Sequence, residues 1–360
     1  MSARVCFVVG ARPNFIKSAP VYRELAALDP SLELVLVHTG QHYDELMSDV
    51  FFAELDFPRP DEFLGVGSGT HAEQTAKALV GVERVLRERE IDLCVVAGDV
   101  NSTLAAALAA AKAGVRLAHI ESGLRSFDRT MPEEHNRKLT DHLSDVLLTH
   151  SPDADENLAR EGIDRAWVHL VGNTMIDSLL EHVEAARARR AWEAFAVERG
   201  HYALVTLHRQ SLFQVPGRLV AAVEGLAGLA SEFPLVFPVH PRTMNTLANS
   251  GHDRVLRDAG VVLAPPLGYL DFLGLQADAG FVITDSGGVQ EETSALGIRC
   301  FTLRDTTERP ITVTSGTNTL IRDLAEIPAL LAEVKPGNQI PLWDGAAGRR
   351  AAEVLRRELG

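Results

Sequence analysis

The sequence has few of the features that mark membrane, secreted or metal-binding proteins. It contains only three cysteines, Cys6, Cys94 and Cys300, which lie in or beside apolar runs without metal-type spacing. They predict buried free thiols, not a disulfide framework. No apolar run approaches the roughly 20 residues of a membrane span, and the run after Arg4 is too short for a signal peptide. We therefore expect a soluble, cytoplasmic protein.

Positive charge is also scarce. Lys and Arg number 35 against 49 Asp and Glu, a formal net charge of −14. A surface this acidic argues against nucleic acid and against a membrane surface as partners. An anionic small ligand would need locally placed cations, so single Arg and Lys residues in unusual positions become informative.

Three common catalytic motifs are missing from the sequence. The first strand-to-helix turn lacks the G-x-G-x-x-G spacing of a dinucleotide site, and no G-x-S-x-G elbow of a hydrolase occurs. The 13 histidines show neither H-E-x-x-H nor paired Cys/His spacing. We therefore expect no metal ion and no bound cofactor.

The chain does contain a repeated strand–turn–helix pattern. Short apolar runs, such as 5–9 and 93–97, end at polar or glycine turns and lead into helical patterns. Runs of this kind suit parallel strands that are buried on both faces. Because the pattern restarts near residue 171, we predict two doubly wound, Rossmann-like α/β domains.

The expected domain bounds are 1–170 and 171–345, with a terminal helix at 346–360 that crosses the domain junction. Ligands of doubly wound sheets bind at the carboxyl ends of the strands. Nearly every unusual residue of this chain follows a strand. We therefore expect the two domains to face each other across a cleft that holds the active site.

One turn with the features of an anion site follows the first strand. Gly10 permits a tight turn, and Arg12 and Lys17 add cations where helix N–H groups already favour an anion. An ordinary turn with surface cations remains the alternative.

A second turn of this kind lies in the other half of the chain. Gly287 and Gly288 would let backbone amides approach a phosphate, and Ser286 can cap the following helix. Glu292, about one turn further, suits the hydroxyls of a ribose. Arg309, in a polar loop after the next strand, could face the same diphosphate. The alternative is an ordinary capped helix.

Acid/base candidates cluster in the first half. Asp99 and Glu121 end two successive strands, and Glu133 follows shortly after. Close, partly desolvated carboxylates can have pKa values raised toward neutrality, as proton transfer requires. One such acid alone would be an ordinary turn residue, but three at one rim favour an active site. His208, at a strand end in the second half, is expected on the ligand side.

Taken together, these segments resemble the bacterial non-hydrolysing UDP-N-acetylglucosamine 2-epimerases. The matching motifs run in order from about residue 5 to 320: Gly10-Ala11-Arg12-Pro13 with Lys17, Gly98-Asp99, His119 to Arg125, Pro132 to Arg137, Gly172-Asn173-Thr174, Asp285 to Glu292, and Arg304 to Pro310. The resemblance implies a glycosyltransferase-B-like fold, usually a homodimer, without metal or nicotinamide. It implies removal of the C2 proton, expulsion of UDP, a bound 2-acetamidoglucal, and re-addition of UDP as a proton returns on the other face.

The resemblance also implies roles for individual residues. Asp99, Glu121 and Glu133 match acid/base carboxylates, and His208 matches a histidine near the diphosphate. The matching substrate-binding positions are Arg12, Lys17, Arg137, Ser286, Gly288, Glu292 and Arg309. To these the turn itself adds Gly287, and His240 is also predicted to bind substrate.

Two departures from the family pattern stand out. After His208-Arg209, where the family commonly has an acid, Asn and Gly, this chain reads Gln210-Ser211-Leu212-Phe213-Gln214. Some members also bind a second, activating UDP-N-acetylglucosamine, and the positions matching that set are Gln41, Gln74, Arg209 and His240. Asp44 and Glu73, however, stand where Gln and Arg are expected. Since an acid facing a diphosphate is unfavourable, we predict weak or absent activation and hyperbolic kinetics.

Three alternatives stay open. A hydrolysing relative would release UDP and free N-acetylmannosamine. A glycosyltransferase on the same fold would need an acceptor and would not exchange the C2 proton. A nucleotide-sugar sensor would bind without catalysis.

Overall fold

The computed structural model describes residues 2–40, 57–209, 212, 215, 217–333, 337 and 339–360. The chain forms two compact units, Met1–Glu181 with Pro341–Gly360, and His182–Ile340. The first unit thus continues beyond residue 170, and the chain returns to it at Pro341, before the expected terminal segment begins.

A seven-stranded parallel sheet lies at the centre of the first unit. Its strands are β1 (Arg4–Val9), β2 (Glu33–His38), β3 (Glu62–Phe63), β4 (Leu93–Ala97), β5 (Arg116–Ser122), β6 (Val146–Thr149) and β7 (Val168–Leu170). Their order is β3-β2-β1-β4-β5-β6-β7, so the order reverses between β1 and β4. In a doubly wound sheet this reversal is the point at which ligands bind.

The strands of the first unit alternate with helices. These are α1 (Arg12–Leu28), α2 (His71–Glu88), α3 (Asn101–Ala113), α4 (Pro132–Leu143) and α5 (Pro152–Arg160), with a 3-10 turn at Arg165–Trp167. They are followed by α6 (Thr174–Ala188), of which residues 174–181 belong to this unit. The Ala-rich α3 packs closely on α2 because its small side chains let the two backbones approach.

The second unit is built on a six-stranded parallel sheet. Its strands are β8 (Ala203–Thr206), β9 (Leu235–Pro238), β10 (Val262–Ala264), β11 (Phe281–Thr284), β12 (Arg299–Leu303) and β13 (Asn318–Ile321). The order is β10-β9-β8-β11-β12-β13, which reverses between β8 and β11. The helices are α7 (Arg218–Leu229), α8 (Pro241–Asn249), α9 (His252–Asp258), α10 (Tyr269–Ala277), α11 (Gly287–Leu296), α12 (Pro310–Thr314) and α13 (Ile327–Leu331), with 3-10 turns at Ala191–Phe195 and Leu324–Glu326.

Both faces of these strands are buried, as the continuous apolar runs predicted. In β8, Ala203 and Val205 pack in one apolar cluster while Leu204 packs in another. Each fully buried Val, Leu or Phe side chain stabilises the fold by roughly 1.5–3 kcal/mol. The predicted class, two doubly wound Rossmann-like α/β domains, is confirmed. The three cysteines are buried and free, also as predicted.

The last helix, α14 (Ala347–Leu359), belongs to the first unit and packs along α1. A Cβ on Gly348 would lie 2.7 Å from Cβ of Pro20, so the close approach of the two helices depends on this glycine. The Asp177 carboxylate accepts hydrogen bonds from the first N–H groups of α14, at Ala347 (3.1 Å) and Gly348 (2.6 Å). It supplies acceptors that these two helix-end donors would otherwise lack.

Candidate active site

Four of the residues predicted in the first half lie around the end of β4, where the strand order reverses: Lys17, Glu121, Asp99 and Arg137. Lys17 and Glu121 form an ion pair with exposures of only 6% and 7%. A Cβ on Gly98, which ends β4, would lie 3.2 Å from Nζ of Lys17 and 3.4 Å from Oε2 of Glu121. The pair therefore lies directly over the backbone that leads into Asp99.

A distortion of β5 places Glu121 there. The pairing of β5 with β6 shifts register between Ile120 and Ser122, and Glu121 has a φ of +67°. A left-handed conformation is uncommon for a residue with a side chain, and such backbones are found at functional sites. The β-bulge re-aims the carboxylate, which a regular strand would direct elsewhere.

Asp99 is bound by Arg137, which matches a predicted substrate-binding position. Oδ2 of Asp99 accepts from Nε (2.8 Å) and Nη2 (2.5 Å) of Arg137, and its backbone carbonyl accepts from Asn136 (2.8 Å). Nη1 of Arg137 contacts Glu134 at 2.9 Å. Arg137 is 2% exposed, so the Asp99 carboxylate is fixed by a buried cation.

Glu133 and Glu134 are adjacent but have different surroundings. Glu134 is 1% exposed and accepts from both the N–H (2.8 Å) and the hydroxyl (2.9 Å) of Ser126 and from the N–H of Phe127 (3.1 Å). It holds the loop before α4. Glu133, in the first turn of α4, is only partly buried. This leaves Glu133, and not Glu134, as the candidate for proton transfer.

Asn14 shapes the first anion turn, a role that the sequence reasoning missed. Its Oδ1 accepts from the N–H groups of Gly10 (3.1 Å) and Ala11 (3.0 Å), and its Nδ2 donates to the carbonyl of Ala97 (2.7 Å). It thus ties the end of β1 to the end of β4. A Cβ on Gly10 would lie 2.6 Å from Cβ of Ser102, so only glycine fits. The side chain of Arg12 lies outside the described part of the chain.

In the second unit, Asp285 holds the loop that carries His208. It is 3% exposed and accepts from the N–H groups of His208 (2.9 Å) and Arg209 (2.8 Å), with Nδ1 of His208 at 3.2 Å. Burial alone would raise the pKa of Asp285, but the hydrogen bonds and charge of His208 and the Arg209 N–H hold it below its usual value. The His208 side chain is 51% exposed, so its ring can still reach a ligand.

The predicted glycine turn begins α11. Gly287 is its first residue, and Ser286 occupies the N-cap position without a capping hydrogen bond from its side chain. Arg309 is 5% exposed and contacts Glu291 (Nε–Oε2, 2.9 Å) and Glu308 (Nη1–Oε1, 2.8 Å). The helix N–H groups and this oriented guanidinium are two features that favour an anion at the turn. Glu291 and Glu308 were in recognised motifs but were assigned no role from the sequence.

Glu292 lies in the next turn of α11 and is 8% exposed. The structure thus places it on the helix that begins at the glycine turn. Its expected contact with a ribose stays a prediction.

A cavity of about 330 Å³ opens beside Asp285, and it differs from the predicted anion site. Its lining includes the apolar Leu207, Leu303 and Ile321. All three of its arginines contact carboxylates: Arg218 and Arg322 contact Asp305, and Arg304 contacts Glu308. We assign an anionic ligand to the glycine turn and not to this cavity, because only the turn combines the first N–H groups of a helix with Arg309.

The residues of the expected activating site are only partly described. Gln41 and Asp44 lie outside the described part of the chain, as do Gln210, Ser211, Phe213 and Gln214 of the divergent loop. Gln74 is buried and accepts from Asn101 (3.0 Å), and the exposed His240 caps α8 by accepting from the N–H of Arg242 (3.2 Å). Glu73 forms a capping box with Thr70 at the start of α2. Its carboxylate therefore has a local structural use.

Comparison with known proteins identifies the family of this chain. The model of the family described as UDP-N-acetylglucosamine 2-epimerase matches residues 24–356. This chain belongs to that family. The UDP-N-acetylglucosamine 2-epimerase of Methanocaldococcus jannaschii is 40% identical, with 98% of each chain covered. Its crystal structure in complex with UDP-GlcNAc and UDP matches with a TM-score of 0.91 at 39% identity, covering 98% of this chain and 99% of that one.

Two further proteins are similar to this chain, one in sequence and one in fold alone. The UDP-2,3-diacetamido-2,3-dideoxy-D-glucuronate 2-epimerase of Pseudomonas aeruginosa is 38% identical, over 98% of this chain and 99% of its own. A UDP-glucosyltransferase from Polygonum tinctorium matches with a TM-score of 0.57 at 14% identity, covering 100% of this chain and 95% of that one, and shares the fold alone. The predicted family and the glycosyltransferase-B-like fold are confirmed. Within the described part of the chain, no helix is both long and apolar enough to cross a membrane.

Proposed function

We propose that this protein interconverts UDP-N-acetylglucosamine and UDP-N-acetylmannosamine by eliminating and re-adding UDP. The observation that carries this proposal is the arrangement of two cation–carboxylate pairs, Lys17–Glu121 and Arg137–Asp99, around Gly98. Proton transfer at a sugar carbon needs carboxylates held in fixed positions, and buried cations hold these.

We assign binding of UDP to the second unit. The Ser286 hydroxyl and the N–H groups of Gly287 and Gly288, together with Arg309, would bind the diphosphate, and Glu292 would bind the ribose hydroxyls. His208 would act beside the diphosphate. Negative charge grows on this group as it leaves, and groups fixed in advance stabilise it most effectively.

We assign the chemistry at C2 to the first unit. One carboxylate takes the C2 proton while the bond from C1 to the diphosphate oxygen breaks, and its electron pair leaves with UDP. A double bond then joins C1 and C2. In the return step UDP adds to C1 and a second group gives a proton to the opposite face of C2. Asp99, Glu121 and Glu133 are the candidates for these transfers.

Incubation with UDP-N-acetylglucosamine in D₂O tests the proposal. We expect deuterium at C2 and signals of both epimers by proton NMR. Asp99→Asn and Glu121→Gln should each reduce exchange by about 100-fold or more. Unchanged exchange in both variants would show that the acid/base roles are wrong. Accumulation of UDP with free sugar would favour the hydrolysing alternative, and binding without exchange would favour a transferase or a sensor.

The relative from Pseudomonas aeruginosa motivates a second candidate substrate. Its name indicates the same inversion at C2 on a sugar with a 3-acetamido group and a carboxylate, and its identity of 38% is close to the 40% of the Methanocaldococcus enzyme. Measuring kcat/KM for both nucleotides would decide between them. A higher value for the diacetamido-glucuronate would replace the simpler substrate in the proposal.

Two finer proposals complete this function. We infer a homodimer, as the family resemblance implies, and light scattering at several concentrations measures its mass. We also infer weak or absent activation by substrate, because Glu73 and Asp44 replace the expected Arg and Gln. Sigmoidal kinetics starting from UDP-N-acetylmannosamine would contradict this second inference.

A further inference from the structure

His119 connects the interior of the first unit to the proposed site. It lies in β5, is fully buried, and uses both ring nitrogens. Nδ1 is 2.7 Å from Oδ1 of Asp141, and Nε2 is 2.8 Å from the carbonyl oxygen of Gly98. Gly98 is the residue beneath the Lys17–Glu121 pair and immediately before Asp99.

These contacts determine where the protons of the ring are. A carbonyl oxygen only accepts hydrogen bonds, so Nε2 must carry a hydrogen. Oδ2 of Asp141 accepts from the N–H of Gly123 (3.1 Å) and from Nη1 of Arg125 (2.7 Å), which stabilise an ionised carboxylate. Burial by itself would raise the pKa of Asp141, but hydrogen bonds and charge from His119 and Arg125 lower it below its usual value. An ionised Asp141 also requires a hydrogen on Nδ1.

We propose that His119 is a positioning residue, whose buried imidazolium holds the Gly98 carbonyl and thereby the carboxylates of the site. Gly98 is fixed on both sides, because its N–H donates to the carbonyl of Ile120 at 3.1 Å. Its φ of +65° gives the turn after β4 a shape that favours glycine. Loss of the Nε2 hydrogen bond would free this turn to move, together with Asp99. The inference rests on the function proposed above.

The charges around the ring alternate in sign. Arg125 forms a bidentate ion pair with Glu161 (Nε–Oε1 2.8 Å, Nη2–Oε2 2.6 Å). Charged or titratable groups lie on both sides of the ring. On the Asp141 side these are Arg125 and Glu161, with Lys138 and His142 each 3.9 Å from Glu161. On the Gly98 side they are Lys17 with Glu121, and Arg137 with Asp99. A protonated His119 thus completes a buried series of plus, minus, plus and minus. A neutral ring carries only one hydrogen. Without a hydrogen on Nε2, its lone pair would point at the carbonyl oxygen of Gly98. Without a hydrogen on Nδ1, Asp141 would have to be protonated although it lies beside Arg125.

NMR of the full-length protein with ¹⁵N-labelled histidine tests the protonation state directly. His119→Gln identifies the signals by their loss. We expect imidazolium shifts for both ring nitrogens at about pH 7, because both contacts of the ring are acceptors. A neutral tautomer under these conditions would overturn the inference. This measurement needs no substrate, so it stands even if the protein shows no exchange at C2.

Kinetics test the positioning role. For His119→Gln we expect kcat to fall about 10- to 100-fold with KM and UDP affinity within about twofold of wild type, since UDP is assigned to the other unit. Removing a cation near the carboxylates should also move the acidic limb of the kcat–pH profile to higher pH. Asp141→Asn, which can orient the ring but not keep its charge, should shift that limb in the same direction.

The matched control is His142→Gln. His142 lies on α4, its side chain is 49% exposed, and its Nδ1 lies 2.8 Å from the local carbonyl oxygen of Lys138. We expect a wild-type kcat and pH profile. A wild-type profile in both His119→Gln and Asp141→Asn would overturn the positioning role, whereas absence of exchange in the wild type would contradict the proposed function instead.

Discussion

The Arg309 guanidinium occupies the space that a side chain at Gly287 would need. A Cβ on Gly287 would lie 2.8 Å from Cζ of Arg309 and 3.0 Å from Oε1 of Glu308. Glu291 and Glu308 hold the guanidinium in this position. The first helical residue of α11 must therefore be glycine if a cation and helix N–H groups are to face one anion.

Gly287→Ala should weaken UDP binding. The added methyl group displaces Arg309, and losing one charge-assisted contact raises the dissociation constant by about tenfold or more. Isothermal titration with UDP measures it. Gly228→Ala is the matched control, because Gly228 also lies in a helix of the second unit and a Cβ there meets no atom within 4 Å. The control should keep wild-type affinity and gain about 0.5–1 kcal/mol of stability. Equal affinity in both variants would remove Arg309 from the proposed phosphate site.

Glu134→Gln and Glu133→Gln should separate structure from catalysis. The amide of Glu134→Gln would leave Arg137 without one of its carboxylates and would weaken the hydrogen bonds to Ser126, so we expect about 2 kcal/mol lower stability. Glu133→Gln should change stability by less than about 1 kcal/mol, because it affects only the charge at a helix start. It should nevertheless lower the rate of C2 exchange by about 100-fold. Urea unfolding and exchange rates, measured on both variants, give the comparison. The assignment of Glu133 fails if its variant exchanges at the wild-type rate.

Sequence patterns predicted which residues lie at the ends of strands better than they predicted the contacts that position those residues. Apolar runs located β1, β4, β5, β8 and β11, and the polar residues after them were assigned to strand ends as the structure has them. Strand order is a long-range property, so nothing local showed that β1 lies beside β4 or β8 beside β11. The short strands β3 and β7 and the strand β13 were also missed. The bulge at Glu121 was not visible, because it arises from pairing with β6.

Side-chain partners were the other part that the sequence could not supply. Asn14 binds the distant carbonyl of Ala97, and Asp141 and Glu161 bind His119 and Arg125, which are also distant in the chain. Their roles depend on burial and geometry, for which a single sequence carries no signal. Asp285 shows the same limit. Its motif indicated a ligand turn, yet its carboxylate holds the His208 loop.

The Lys17–Glu121 pair should show strong coupling in a double-mutant cycle. Lys17→Met and Glu121→Gln should each destabilise the protein by about 3 kcal/mol, because each leaves a buried polar group or charge without its partner. The loss of stability in the double variant should be clearly smaller than the sum of the two single losses, since no unpaired charge then remains. Exchange at C2 should stay low in all three variants. Additive losses in urea unfolding would mean that the pair is not coupled in the folded state.

The stability of the first unit should depend on pH through His38. This residue is 2% exposed, stacks on Phe15 and Phe63 with ring centroids 5.1 and 5.2 Å away, and accepts from the N–H of Gly40 through Nδ1 at 2.8 Å. Burial lowers its pKa from 6.5 to about 4. Between these two values the unfolded chain binds a proton that the folded chain does not, so stability present above pH 6.5 is lost as the pH falls toward 4. The expected loss is about 3 kcal/mol.

His38→Asn tests this dependence, because it keeps an acceptor for the N–H of Gly40 without a titrating group. Its urea-unfolding free energy should not show this loss at low pH. As the pH falls from 6.5 toward 4, the difference in unfolding free energy between wild type and variant should therefore shrink or reverse. Parallel pH curves for the two proteins would show that His38 does not titrate in this way.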